Sequence, residues 1–167
     1  MYRYTMCLAF VFATLSMSAG ADDTFKDAVE GPFTFDRAKI AGKWTVVGLV
    51  VNGNESKEED ARRLTVVNRA DGTWSLWSEG EMVSKGTSTI DPLQKPKTID
   101  FHVIDGDKRS DVFRGIYQLG KNKRKLCFAE EGEERPTEFV SKPGSDHILV
   151  SFQRVKGDAA SNKEKTE

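Results

Sequence analysis

The side chains that could carry out chemistry are few. The chain has two histidines, His102 and His147, too few for a histidine-based metal cage, and both fall on the outer face of their predicted strands. Cys127 lies in an apolar segment, so we interpret it as a small buried hydrophobe. No nucleophile elbow, phosphate loop or dinucleotide fingerprint occurs. The sequence therefore predicts no catalytic residue, no metal site and no cofactor.

Arg135 and a set of aromatic side chains are the candidates for ligand contact. Arg135 stands between an acidic run and Pro136, so its backbone is constrained. It could bind a carboxylate ligand at a barrel mouth, but a structural role is favoured. In that role it would pair with Glu133, Glu138 or a strand carboxylate, or replace an arginine of the last strand, Arg154, as the partner of Trp44. An apolar ligand would contact aromatic surface. The candidate ligand-binding residues are Trp74, Phe101, Phe113, Tyr117 and Arg135, with Phe128 as a further ring.

Two charge runs lie close together. Residues 121–125 carry four basic side chains, and residues 130–135 are mainly acidic. The basic run could bind an anion or a membrane surface. We favour a solvated turn, because the neighbouring acids largely cancel its field. The formal net charge of −1 also argues against a nucleic-acid binder.

The elements that position these residues are strands. From residue 43 onward, polar and apolar residues alternate and β-branched residues dominate. No helical segment long enough for a parallel crossover separates the strands. In a meander of eight strands, the first and last strands have unpaired edges unless they pair with each other and close a barrel. We therefore predict an all-β, eight-stranded antiparallel up-and-down barrel, with a β-sandwich as the alternative. The predicted strands are residues 43–51, 62–69, 73–78, 81–89, 97–104, 110–119, 123–129 and 146–155.

The segments outside the strands predict export. An apolar run too short to span a membrane is followed by Ala19-Gly20-Ala21, which is typical of a cleaved signal peptide. The mature chain would begin at Asp22, carry no membrane segment and be periplasmic or extracellular. Asp36 could cap one helical turn through Ile40. The predicted organisation is a signal peptide (1–21), an N-terminal arm with that turn (22–41), the barrel (42–156) and a disordered tail (157–167).

Gly42-Lys43-Trp44 at the start of the first strand resembles the signature of the lipocalins and wider calycins. The resemblance implies that Trp44 plugs one barrel end and that an arginine of the last strand, here Arg154, packs over its ring. A guanidinium over an indole gains about 0.5–2 kcal/mol. Residues in phase with these two are apolar or Gly, which is consistent with an inward face: Val46, Gly48, Val50, Ile148, Val150 and Phe152.

A closer resemblance covers most of the mature chain. It runs from about Ile40 to about Arg154 and joins the chain to an uncharacterised family of small exported bacterial domains, abundant in planctomycetes. It implies a lipocalin-like barrel and a bacterial source, and it carries no known activity. The stretches that resemble that family are Gly72-Thr73-Trp74, residues 95–100, Gly115-Ile116-Tyr117, residues 126–129 and residues 134–139.

The predicted function is a non-enzymatic exported module that binds a small apolar ligand or an envelope partner. The alternative is an enzyme or inhibitor that acts in the cell envelope. A ligand would enter opposite Trp44, beneath a weakly packed lid formed by residues 52–61, with Asn54, Glu55 and Lys57 as a polar rim. Eight strands leave room for side chains or one small ligand, and so many large rings favour a filled interior over an open cavity.

Overall fold

The structure of the chain, a computed structural model, describes residues 21–105 and 108–157. The predicted signal peptide, apart from residue 21, lies outside the described residues. So does the predicted tail beyond residue 157.

Nine strands form one sheet that closes on itself. Each strand pairs antiparallel with its neighbour, and β1 pairs with β9, so eight long strands make a closed barrel and β2 extends one edge of β1. The predicted all-β antiparallel barrel is confirmed. The strands are β1 (Gly42–Val51), β2 (Asn54–Glu55), β3 (Leu64–Asn68), β4 (Thr73–Ser78), β5 (Glu81–Asp91), β6 (Lys97–Asp105), β7 (Lys108–Leu119), β8 (Lys123–Ala129) and β9 (His147–Arg154).

Turn chemistry explains where the strands reverse. At the β4–β5 hairpin, Glu79 and Gly80 both have positive φ, 52° and 91°. A two-residue hairpin of this kind matches the right-handed twist of its strands, and glycine adopts the conformation without strain. The sequence therefore places this turn correctly from the Glu-Gly pair alone.

A bulge in β1 changes which of its side chains point inward. The pairing of β1 with β9 shifts between Val46 and Gly48, so that Gly48 opposes Ser151 and Leu49 opposes Val150. One extra residue in a strand reverses the alternation beyond it. The prediction that Gly48 and Val50 continue the inward face of Val46 is wrong, and Leu49 takes that place.

The N-terminal segment is a longer helix than the sequence predicts. Helix α1 spans Ala21–Ile40, although the prediction was an arm with one turn capped by Asp36. Gly31 and Pro32 interrupt the helical pattern, which is why it is hard to see. The Asp36 carboxylate is not a cap. It is buried and accepts hydrogen bonds from Lys97 Nζ and Tyr117 Oη, each 2.6 Å long, so tertiary contacts fix the last turns.

The segment after β8 covers the outside of the barrel. Ile116, Cys127 and Ala129 are fully buried although they lie outside the main core cluster. The Cys127 thiol donates to the carbonyl of Val140, 3.5 Å away, and burial raises its pKa. Cys127 is therefore a buried small residue. A short helix, α2 (Glu58–Ala61), lies between β2 and β3 at the other end of the barrel from α1.

Candidate ligand site inside the barrel

The interior of the barrel holds a cavity of about 270 Å³ that is partly open to solvent and has an almost entirely apolar wall. All the long strands except β5 contribute side chains to it. The residues that line it are Val46, Leu49, Leu64, Val66, Asn68, Trp74, Leu76, Phe101, Val103, Phe113, Arg124, Leu126, Phe128, Ile148, Val150 and Phe152.

The expectation that aromatic rings fill the interior is wrong, because the rings pack on one another instead of across the barrel. Trp74 and Phe101 meet edge to face with centroids 6.0 Å apart, and Phe101 and Phe128 do so at 5.9 Å. Phe113 meets Phe128 in the same way at 6.5 Å. The lining side chains of β1 and β3 are aliphatic apart from Asn68, and the cavity is lined jointly by these side chains and the ring cluster.

Gly86 on β5 leaves room for the Trp74 ring, one of the rings that line the cavity. A Cβ atom at this position would lie 2.7 Å from Cζ2 of Trp74 and 1.9 Å from the carbonyl oxygen of His102. The Trp74 ring therefore lies directly over the backbone of β5, and its Nε1 donates to the Thr87 carbonyl at 3.0 Å. The missing side chain is what lets the ring approach the backbone of β5 so closely.

Two polar side chains interrupt this apolar wall, Arg124 and Asn68. Arg124 is 2% exposed and Asn68 is 6% exposed. Within the described part of the chain, neither Arg124 Nε nor Asn68 Nδ2 has a hydrogen-bond partner. Burial, and then repulsion by Arg154, lowers the pKa of Arg124 to about 9, so the guanidinium is charged at neutral pH. We call Arg124 and Asn68 the cavity floor, because both stand at the ends of their strands nearest Trp44.

The barrel end at Trp44 is closed by rings and guanidinium groups. Trp44 is 1% exposed, and its Nε1 donates to the Ile40 carbonyl at 2.8 Å. The Cζ of Arg154 lies 4.2 Å from the Trp44 ring centroid, and that of Arg124 lies 4.8 Å from it. Arg124 also lies 4.4 Å from the Phe152 centroid. The two arginines thus share one indole.

Arg154 also ties the last strand to the start of the first. Its Nη1 donates to the Ala41 carbonyl at 2.8 Å, and its Nη2 donates to the Lys39 carbonyl. Gly42 follows directly, with a φ of 118° that favours glycine, and opens β1 two residues before Trp44. The structure therefore brings together Gly42, Trp44 and Arg154, the three residues that the sequence singles out for closure.

Three of the five predicted ligand-binding residues line the cavity, namely Trp74, Phe101 and Phe113. Tyr117 does not. Its hydroxyl donates to the Asp36 carboxylate beneath α1, and burial together with that carboxylate raises its pKa. This hydrogen bond accounts for the position of Tyr117 without a ligand.

Arg135 does not line the cavity either. It binds the Asp100 carboxylate with both terminal nitrogens, at 2.6 and 3.1 Å, and also donates to the carbonyls of Gly115 at 2.7 Å and Ile99 at 3.3 Å. We call this arrangement the outer clamp. The structural alternative for Arg135, pairing with a strand carboxylate, is the arrangement observed.

Arg124 is the residue that sequence reasoning missed. It belongs to the basic run 121–125, which we interpreted as a solvated turn. Lys123 and Lys125 are exposed, whereas Arg124 is buried between them. The available signal was its phase: Arg124 alternates with Leu126 and Phe128, which also line the cavity.

The connector at the opposite end is better fixed than the sequence suggests. Ala61 is buried, and Asn54–Glu55 pairs with the end of β1. The Gly53 amide donates to Ser141 Oγ, and the Ser145 amide donates to Asn52 Oδ1, both at 3.1 Å. The segment after β8 therefore holds the connector by hydrogen bonds, although apart from Ala61 none of its residues is buried. The proposed rim residues Asn54, Glu55 and Lys57 are exposed.

No protein-family model matches the chain, and neither a curated protein nor a solved structure is detectably similar to it. Across residues 21–105 and 108–157, no three potential metal ligands cluster. The helices described in this part of the chain are also too short or too polar to cross a membrane.

Proposed function

We propose that this protein is a non-enzymatic exported barrel that binds a small, largely apolar ligand inside its strands. The observation that carries the proposal is the cavity of about 270 Å³ with an apolar wall. Apolar cavities of about 150 Å³ stay dry and take up molecules the size of benzene. A larger apolar cavity favours a ligand in the same way, since hydrocarbon placed there leaves water and gains packing contacts.

The same proposal includes a lipocalin-like origin for the barrel, a bacterial source and a periplasmic or extracellular location. The Gly-x-Trp start of β1 with Arg154 on β9 supports the first. The N-terminal sequence, with its short apolar run before Ala19-Gly20-Ala21, supports export. Mature protein from its host would then begin at or near Asp22, which N-terminal sequencing can check.

The test uses a neutral probe, so that its affinity does not depend on charged side chains. N-phenyl-1-naphthylamine becomes fluorescent in apolar surroundings, and we expect the delipidated protein to bind it at micromolar concentration. Val66→Phe places a ring in the cavity and should weaken binding at least tenfold. Val83→Phe makes the same change at an exposed position and should have no effect. Failure of the wild-type protein to bind, or equal binding by the Val66→Phe variant, would overturn the proposal.

A further inference from the structure

We infer that the cavity selects apolar molecules that carry a single acidic group, and that the cavity floor binds the acid. The ligand class is a small monocarboxylate with a hydrocarbon body, such as a medium-chain fatty acid. This inference rests on the proposed function and adds the chemistry of the head group and the direction in which the ligand lies.

The first argument is the unusual state of Arg124. A buried guanidinium is normally paired, because transferring a charge out of water costs several kcal/mol unless acceptors replace the water. In the described part of the chain, no carboxylate forms an ion pair with Arg124 and its Nε lacks an acceptor. The rings of Trp44 and Phe152 compensate only in part, since each such contact contributes about 0.5–2 kcal/mol.

The second argument is the neighbouring amide. Asn68 Nδ2 is also buried without an acceptor and also lines the cavity. Both unsatisfied groups are donors, and both belong to the cavity floor. Each donor can be satisfied by an oxygen of a bound head group, and the charged guanidinium favours a carboxylate. A neutral hydrocarbon would leave both donors unsatisfied.

The third argument is the distribution of polarity along the barrel. Above the cavity floor, the lining is aliphatic and aromatic up to Leu49, Leu64 and Ile148, near the end that holds α2. The ligand would therefore bind with its acid inward at the Trp44 end and its hydrocarbon toward the opposite end. The charge complements Arg124, and the apolar wall covers the chain.

The test compares two molecules that differ in the head group alone. Decanoate and decanol displace the neutral naphthylamine from delipidated protein, and the ratio of their affinities is the measured quantity. We expect decanoate to bind at least tenfold more tightly than decanol. In Arg124→Met we expect this ratio to fall to about one, and in Asn68→Leu to fall partway.

Arg154→Met is the matched control. It removes the same charge from the same indole, but Arg154 does not line the cavity. This variant should keep the preference for decanoate. Equal binding of acid and alcohol by the wild-type protein would overturn the inference and leave the proposed function standing, whereas no binding of probe, acid or alcohol would overturn both.

A second measurement does not depend on the folding of a variant. Decanoate labelled with ¹³C at its carboxyl carbon reports its own ionisation by NMR in complex with the wild-type protein. Next to Arg124, with Arg154 beyond the indole as the other nearby charge, the bound carboxyl should stay ionised well below the pH at which free decanoate is protonated. Titration of the bound acid at the pH of the free acid would overturn the inference.

Discussion

The outer clamp and the cavity floor use the same side chain in opposite ways. Arg135 finds four acceptor contacts in the chain itself, two on Asp100 and two on backbone carbonyls. Arg124 is more deeply buried and has aromatic faces but no pairing carboxylate in the described residues. A guanidinium with a purely structural role finds its acceptors within the protein, as Arg135 does. A guanidinium in an apolar cavity without such acceptors, as Arg124 is, indicates that a ligand supplies the acceptor.

The largest effect on stability should come from removing the Trp44 ring, against which Arg124 of the cavity floor packs. Trp44→Ala leaves a hole beside Arg124 and removes the contact with Arg154, so we expect a loss of about 3–5 kcal/mol in the free energy of unfolding. Urea denaturation measures it. Trp77→Ala, at a half-buried tryptophan outside the cavity lining, should cost clearly less. Equal losses would show that Trp44 has no special part in closing the barrel.

Breaking the outer clamp should destabilise the protein by about 1–3 kcal/mol, because the partly buried Asp100 and two carbonyls lose their donor. Arg135→Met is the substitution, and the midpoint of urea unfolding is the readout. Arg62→Met removes an exposed arginine that pairs with Glu58 on a solvated helix and serves as control, with an expected change below about 0.5 kcal/mol. A clamp variant as stable as this control would contradict a structural role for Arg135.

An arginine-to-methionine substitution at the cavity floor should raise the free energy of unfolding, whereas the one at the outer clamp lowers it. Arg124→Met replaces an unpaired buried charge by an apolar side chain of similar length, so we expect the ligand-free protein to gain about 1 kcal/mol of stability. The measurement must use delipidated protein, since a bound acid stabilises the wild-type chain more than the variant. A loss of 2 kcal/mol or more would mean that Arg124 supports the fold as Arg135 does.

A last expected effect is the dependence of that gain on pH. Burial lowers the pKa of Arg124 to about 9, below its value in the unfolded chain. Above pH 9 the folded wild-type protein therefore binds fewer protons than the unfolded chain, so its stability rises with pH relative to a variant without the group. The advantage of Arg124→Met should shrink between pH 8 and pH 10.5. An advantage that is constant over this range would contradict the lowered pKa.

The sequence predicts the barrel well because strand phase and turn chemistry are local properties. The strands after residue 72 are predicted to within two residues, since alternation and Gly-containing turns mark them. The bulge in β1 was missed although Gly48, a glycine inside a strand, is a local signal of one, because the residues around it are apolar in both phases. The reach of α1 was missed because its last turns are fixed by Lys97 and Tyr117, which are distant in sequence.

The candidate site could be predicted only in part, for a related reason. Trp74, Phe101 and Phe113 were identified because their residue type and phase suffice to place them in the interior. The cavity itself depends on how rings pack on each other, which composition does not determine. Arg124 was missed because flanking lysines made its segment look solvated, although its phase with Leu126 and Phe128 pointed inward.

The pairing of β1 with β9 sets the order in which the molecule can be completed. Trp44 lies opposite Arg154, so the seam joins residues more than a hundred positions apart in the chain. During synthesis, strands β3 to β8 can pair with their neighbours as they emerge, but β1 keeps an open edge until β9 arrives. An unpaired strand edge is a template for association with other chains, and such long-range pairing is slow. Chains that end before His147 should therefore aggregate instead of folding into smaller barrels.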